Sequence, residues 1–268
     1  MRTIALIALP LALAACEMQG GDPVTRTEIG PKSEERVQLR RQASACEVTV
    51  FEGVPLTHCI ADPAKHTISA VLADPQGTPY RSLKTYGAAL GQQASVVAFA
   101  TNVGMFDAEG QPIGYYVERG ERLKELSRED GSGNFYLKPN GVFYGTGGKW
   151  EIRTADDFFS NVGDRPQFGT QSGPMLVIGG ELHPEVQDDG PSRTIRNGVG
   201  VDAEGKAHFV ISEAPISFGQ LARYFRDELK TPNALYLDGS VSALWDPVTE
   251  RLDEGPSIGP MLVVTRKE

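Results

Sequence analysis

Residues 207–240 read AHFVISEAPISFGQLARYFRDELKTPNALYLDGS. The apolar run AHFVIS (207–212) has the composition of a buried strand. After Ser217, a helix cap, Phe218, Leu221, Ala222, Phe225 and Leu229 fall on one face of a helix. ALYL (234–237) is a second strand, and it stops at Asp238-Gly239-Ser240. A strand, one amphipathic helix and another strand in succession set the fold class as α+β.

Outward from this stretch, β signals recur at VTVF (48–51), TISAVLA (67–73), SVVAFAT (95–101), GYYVE (114–118), GVFYG (141–145), MLVI (175–178), GVGVD (198–202) and MLVVT (261–265). The segments between them are short and turn-rich, and a weaker helical turn lies in ADDFFSNV (155–162). Strands and helices do not alternate regularly, and no long linker divides residues 46–268. The sequence therefore predicts a single α+β domain: a mixed, mainly antiparallel twisted sheet with a few flanking helices. Two echoes recur. DAEG (107–110 and 202–205) predicts two hairpin turns with Gly110 and Gly205 at positive φ, and GPMLV (173–177 and 259–263) a Gly-Pro lead-in to two buried strands.

The chain has 268 residues, 40% hydrophobic and 23% charged, with 30 Gly and 18 Pro, which excludes disordered and collagen-like classes. Ile4 to Ala15 are apolar after Arg2, too short a run to span a bilayer comfortably, and predict a signal peptide over 1–15. Leu13-Ala14-Ala15-Cys16 resembles a bacterial lipobox, which implies cleavage before Cys16 and lipidation of its thiol; the alternative is a secretory signal beside an unmodified Cys. Glu17 stands where an inner-membrane retention signal has Asp, so the expected location is the cell envelope, anchored in the outer membrane and facing the periplasm. Residues 16–45 hold the lipidated Cys and a flexible tether spanning roughly 30 Å, in which SEERVQLRRQ (33–42) is a candidate short helix.

Without residues 1–15 the chain carries 25 basic against 35 acidic residues, a net charge of −10. That balance gives no support for nucleic-acid binding. Cys46 and Cys59, in an oxidising compartment, predict a disulfide, with two free buried thiols as the alternative. There is no G-x-S-x-G elbow, no H-x-x-x-H, no C-x-x-C and no phosphate-binding loop. The four His, at 58, 66, 183 and 208, share no ligand spacing. Neither a metal nor another cofactor is expected.

Polar residues cluster instead at the ends of apolar strands. They are Asn102, Lys138, Asn140, Gln171 with Ser172 and Gly173, Arg193, Arg196 with Asn197, Ser212, and Asp238 with Gly239 and Ser240. Asp238 has two readings, a tight turn accepting the N–H groups of residues 240 and 241, or a carboxylate turned to a ligand. Asn102 and Asn140 either cap turns or bind sugar hydroxyls, and Arg193 and Arg196 are either surface charges or an anion site.

The order NVGMF (102–106), NFYLKPNGVFYG (134–145), TQSGPMLVIGG (170–180), RNGVGVD (196–202) with HFVIS, FGQLARYFRDEL and ALYLDGS resembles the phosphodiester glycosidase family, the bacterial domain related to the lysosomal uncovering enzyme. Asn102 and Gly104 match its N-G-x-F/M segment with Val103 in place of Gly. Gln171, Gly173 and Pro174 match Q-x-G-P, Arg196 and Gly200 match R-T-A-x-G with Asn197 in place of Thr, and Asp238, Gly239 and Ser242 match L-D-G-G-x-S with Ser240 in place of the second Gly.

The resemblance implies a hydrolase of sugar 1-phosphodiesters, with a carbohydrate phosphodiester or envelope glycan as partner. Arg196, with Lys138 or Arg193, would hold the phosphate, and Asp238 would face the anomeric carbon as nucleophile or charge stabiliser. Of the candidate second acids Asp107, Asp202, Glu118 and Glu213, the position of Glu213 after Ser212 at a strand end favours it. On this reading Asp238→Asn and Arg196→Ala each lower turnover while the melting transition stays nearly unchanged. The alternative is a non-catalytic glycan-binding or envelope-assembly lipoprotein on the same fold. A serine peptidase or esterase using Ser172 or Ser240 lacks a matched His.

Overall fold

The computed structural model describes residues 43–267. The predicted signal peptide, Cys16, the candidate helix over 33–42 and nearly all of the tether lie outside the described residues. The strands, in chain order, are β1 Cys46–Phe51, β2 Val54–Ala61, β3 His66–Val71, β4 Val97–Asn102, β5 Tyr116–Glu118 and β6 Glu121–Lys124. They continue as β7 Gly141–Thr146, β8 Lys149–Thr154, β9 Phe168–Ser172, β10 Met175–Ile178, β11 Glu181–Leu182 and β12 Asn197–Val201. The last are β13 Ala207–Ser212, β14 Asn233–Tyr236, β15 Leu244–Asp246, β16 Arg251–Leu252 and β17 Met261–Arg266. The α-helices are α1 Leu83–Leu90, α2 Ala155–Asn161 and α3 Phe218–Arg223.

The strands form three sheets, in the orders β1-β2-β13-β12-β14-β10-β11, β16-β15-β4-β17-β3 and β6-β5-β9-β7-β8. Neighbours pair antiparallel throughout. All three sheets feed one core. Phe209, Met175 and Leu235 of the first meet Phe99 and Leu262 of the second and Tyr116, Phe143 and Phe168 of the third. Burial of such side chains is worth about 1.5–3 kcal/mol each, and because all three sheets share it the chain is a single α+β domain.

Each predicted strand falls on a strand. Several others carried no signal, and three of them are internal: β2 lies between β1 and β13, β9 between β5 and β7, and β15 between β16 and β4. β9 reads FGTQS, with every residue buried, so no alternation marks it. Both DAEG turns form with Gly110 at φ 85° and Gly205 at φ 80°. The predicted helix begins at Ser217, whose Oγ accepts from Gln220 N at 3.1 Å. It is α-helical to Arg223 and widens to a π turn over Tyr224–Glu228. Leu221, Ala222 and Phe225 bury against Leu176, Ala234 and Tyr236 as the pattern requires. Cys46 and Cys59 face each other across β1 and β2 and form the predicted disulfide.

Candidate active site

The ends of β4, β12 and β14 meet at one point. The Asn102 side-chain amide donates to the Asp238 carbonyl at 2.8 Å, and its Oδ1 accepts from Asn197 Nδ2 at 3.0 Å and from Ala243 N at 2.9 Å. Asp238 N donates to Val103 O at 3.1 Å and Leu237 N to Asn197 O at 3.1 Å. Asn102 belongs to the second sheet and Asn197 to the first, with Asp238 two residues past the end of β14, so this buried amide clamps two sheets while fixing the backbone of the acid. Both ends of the Asn102 side chain are used in the junction, as a turn-holding role requires.

Asp238 is half-buried, and its Oδ1 accepts from Ser240 N at 3.3 Å, so the turn foreseen in the sequence is present. Val241 N donates instead to the Asp238 carbonyl, at 3.4 Å. Burial pushes the carboxyl above its usual range, with the Ser240 bonds working against it, and the group makes no ion pair among the described residues. Gly239 is required next: a Cβ there would lie 2.4 Å from the Tyr236 hydroxyl and 3.0 Å from Arg196 Cα. Gly239 N donates to that hydroxyl at 3.0 Å.

Tyr236 is a site residue that sequence reasoning missed. Alternation within ALYL holds the signal: Leu235 and Leu237 enter the main core, while Tyr236 points to the opposite face. Burial raises its pKa, Arg196 works to lower it and Asp238 to raise it, so the hydroxyl feels both charges.

Arg196 is 1% exposed, buried rather than a surface charge. Its Nε donates to Ile216 O at 2.9 Å and its Nη2 to Ser192 O at 3.0 Å, and the guanidinium lies 3.6 Å above the Phe218 ring centroid. Ser212 Oγ accepts from Arg196 N at 2.9 Å. No carboxylate pairs with Arg196 among the described residues, and burial lowers its pKa. The expectation that Arg196→Ala leaves melting unchanged is therefore corrected: the side chain is packed and hydrogen-bonded, and its removal opens a cavity. Arg193 is exposed, pairing with Asp189 and donating to Gln220 Oε1 at 3.1 Å.

The third sheet closes the side of the site. Gln171 Oε1 accepts from Tyr115 N and Ser127 N, both at 2.9 Å, and its Nε2 donates to Ser127 O at 2.7 Å and to Asn140 Oδ1 at 3.4 Å. Asn140 donates to Phe135 O at 2.9 Å. These amides order loops 126–128 and 134–140. Gly173 has no room for a side chain, a Cβ lying 2.7 Å from Asn140 Cβ, and the Pro174 carbonyl accepts from Tyr236 N at 3.0 Å. Ser172 Oγ and Asn197 Oδ1 are buried without a hydrogen-bond partner among the described residues. Lys138 is exposed and pairs with Asp130 at 2.5 Å.

The backbone of Glu213 adjoins Ser212, but its carboxylate accepts from Arg251 and from Thr57 Oγ1, each at 2.5 Å. Asp202 bonds His208 Nε2 at 3.0 Å, at the far end of β12 and β13 from Arg196. Asp107 Oδ1 accepts from Gln111 N at 2.8 Å in its turn, and Glu118 accepts from Leu72 N at 3.1 Å. The structure thus gathers Asn102, Arg196, Asn197, Ser212, Asp238, Gly239 and Ser240 around one strand-end junction, flanked by Gln171 to Gly173 and Asn140, with Arg193 and Lys138 in solvent.

The sequence profile of the phosphodiester glycosidase family matches residues 95–264. The Escherichia coli K12 protein YigE, described as uncharacterized, is 31% identical over 221 residues, covering 78% of this chain and 86% of its own. The catalytic domain of zebrafish N-acetylglucosamine-1-phosphodiester alpha-N-acetylglucosaminidase, auto-inhibited by its pro-peptide, superposes with a TM-score of 0.58 at 15% identity, covering 85% of each chain. A hypothetical protein from Synechocystis does so with a TM-score of 0.52 at 16% identity, over 83% of this chain and 61% of that one. At these identities the two structures establish a shared fold. The profile spans Asn102, Gln171, Arg196 and Asp238, and with the relative's identity over most of both chains it places this chain in the phosphodiester glycosidase family, hydrolases that act on sugar phosphodiesters.

Proposed function

We propose that this chain is an exported lipoprotein, anchored through Cys16 in the outer membrane, that hydrolyses the glycosidic bond of a sugar 1-phosphodiester of the cell envelope. The observation that carries the reading is, among the described residues, a buried guanidinium without a carboxylate and a half-buried carboxylate without a cation, both in contact with Tyr236 or its turn. A buried charge lacking a partner is costly, and a phosphodiester with a cationic transition state at the anomeric carbon offers each group its missing opposite.

Arg196 supplies positive potential from beneath the site, and solvent-facing Lys138 or Arg193, released from its pairing with Asp130 or Asp189, would meet the phosphate oxygens. Asp238 faces the anomeric carbon, stabilising oxocarbenium charge or attacking it. The bond broken is that between the anomeric carbon and the phosphate oxygen. The phosphate monoester leaves with the electron pair, and water supplies the hydroxyl to the sugar and a proton to the products. A phosphate monoester is a good leaving group, so the demand on a general acid is small.

Turnover of a panel of sugar 1-phosphodiesters by the wild-type chain and by Asp238→Asn tests this. Product from the wild type and its loss by about 10²–10³-fold in the variant are expected. No product from any panel member, or equal rates, would overturn the assignment.

A further inference from the structure

The candidate site occupies one end of the strands, and the opposite end carries a concentration of positive charge. β4 runs from Val97, whose carbonyl accepts from Arg266 Nη1 at 2.7 Å, to Asn102 at the site. β13 runs from Ala207, next to Lys206, to Ser212 beside Arg196, and pairs with β2 from Ala61 to Leu56. Six-residue strands separate the two ends by roughly 17 Å.

Two clefts at the far end share Lys267. One, of 780 Å³, is lined by Lys65, His66, Lys206, Arg266 and Lys267 together with Glu47 and Asp62; the other, of 410 Å³, adds Arg119 and has no acid in its lining. In a chain whose acids outnumber its bases, 35 to 26, the two linings hold five Lys and Arg against Glu47 and Asp62, with Asp202 and Glu204 in the adjoining 202–206 turn. Lys65 and Lys206 have acidic neighbours in Asp62 and Glu204, but Arg266 and Lys267 form no ion pair among the described residues, and Arg266 Nη2 is buried without a partner. The first described residue, Ala43, lines the larger cleft. The 26 residues that separate it from Cys16 therefore join the domain at this face, with Arg40 and Arg41 just before it in sequence.

We propose that this end of the domain docks on the anionic headgroups of a phospholipid membrane, leaving the candidate site on the side away from the bilayer. Charge complementarity and the point where the chain from Cys16 arrives carry the proposal. The headgroup contact does not rest on the catalytic assignment, whereas the orientation argued from the tether rests on the lipid anchor proposed at Cys16. Each Lys or Arg near such a surface contributes roughly fivefold in affinity, within a Debye length of about 8 Å at physiological salt.

Residues 43–267 share one core, so the chain from Glu17 onward, without the apolar leader and Cys16, serves for co-sedimentation with vesicles. Binding is expected to an equal mixture of phosphatidylcholine and phosphatidylglycerol and not to phosphatidylcholine alone, with loss in high salt. Lys65→Glu with Lys206→Glu and Lys267→Glu should weaken it by roughly a hundredfold, whereas Lys84→Glu with Arg128→Glu and Arg226→Glu, a charge-matched control on other faces, should not. Melting curves check folding of both triples, and Lys65→Gln with Lys267→Gln replaces the first if it unfolds. Equal binding to both vesicles, equal loss in both triples, or displacement by inorganic phosphate, the mark of a small-anion pocket, would each overturn the proposal.

Discussion

The side-chain amide of Asn102 holds the backbone carbonyl of Asp238 at 2.8 Å, across a sequence separation of 136 residues and from one sheet to another. The turn that presents the carboxylate is thus set by a buried amide rather than by its own loop. Asn102→Ala removes that bond and strands Ala243 N, while Asn197 Nδ2 keeps its bond to the backbone carbonyl of residue 102 at 3.2 Å, so a stability loss of about 2–3 kcal/mol is expected from urea unfolding. Asn102→Asp keeps the acceptor and loses the donor. A carboxylate there is buried against the Asp238 carbonyl, so its stability loss should equal or exceed that of Asn102→Ala, and turnover measured where each variant is folded separates positioning from mere folding.

Tyr236→Phe deletes the hydroxyl that accepts from Gly239 N and neighbours Arg196. A loss of about 1 kcal/mol is expected, together with a fall in kcat larger than any change in KM, because the 238–240 turn loosens. Unchanged steady-state parameters would remove Tyr236 from the site.

For Arg196 the informative change is to Lys, which retains charge but not the stack on Phe218 or the bonds to Ile216 and Ser192. Thermal unfolding should register about 1–3 kcal/mol, and turnover should fall even at temperatures where the variant is folded.

Cys46→Ser with Cys59→Ser opens a cross-strand bond with a sequence separation of 13. Loop entropy sets the expected loss near 3 kcal/mol, measured by denaturant midpoint and reproduced by reducing the wild type. Activity of the folded fraction should persist, since β1 and the start of the domain lie away from Asp238.

Acid should destabilise the chain through His58. Its Nε2 lies 2.9 Å from His208 Nδ1, Tyr224 stands edge-on to its ring, and burial and then His208 depress its pKa from 6.5 to about 4. Glu47, at 3.9 Å, is 74% exposed and too well screened to offset this. The unfolded chain therefore binds the proton first. Stability is full above pH 6.5 and declines by about 3 kcal/mol as pH falls toward 4. His58→Leu should flatten that slope in unfolding curves taken across this window.

Much of the architecture was legible because its signals are local. Apolar runs in AHFVIS, ALYL and MLVVT, the 3.6-residue period after Ser217 and the Gly of each DAEG turn act within a few residues, and each appears where the sequence placed it. β2 and β9 were not legible, since Pro55, Gly169 and the polar Thr170, Gln171 and Ser172 give no alternation, and only burial by neighbours on both sides makes them strands. Likewise the sequence pointed to one twisted sheet where the strands divide into three, because partner choice depends on contacts far apart in the chain.

At the site, the sequence by itself determined the residue types: an acid closing an apolar strand, an Arg opening another, and amides at the ends of two more. Tertiary structure decided what each does. Asn102, Asn140 and Gln171 spend their hydrogen bonds on the backbone of other loops, Glu213 turns to Arg251, and Arg196 is buried on Phe218 while Tyr236 joins it to the turn of Asp238. Strand periodicity fixes which face a side chain takes, but the partner it meets there is chosen by the packing of sheets against one another, and that information is spread over the whole chain.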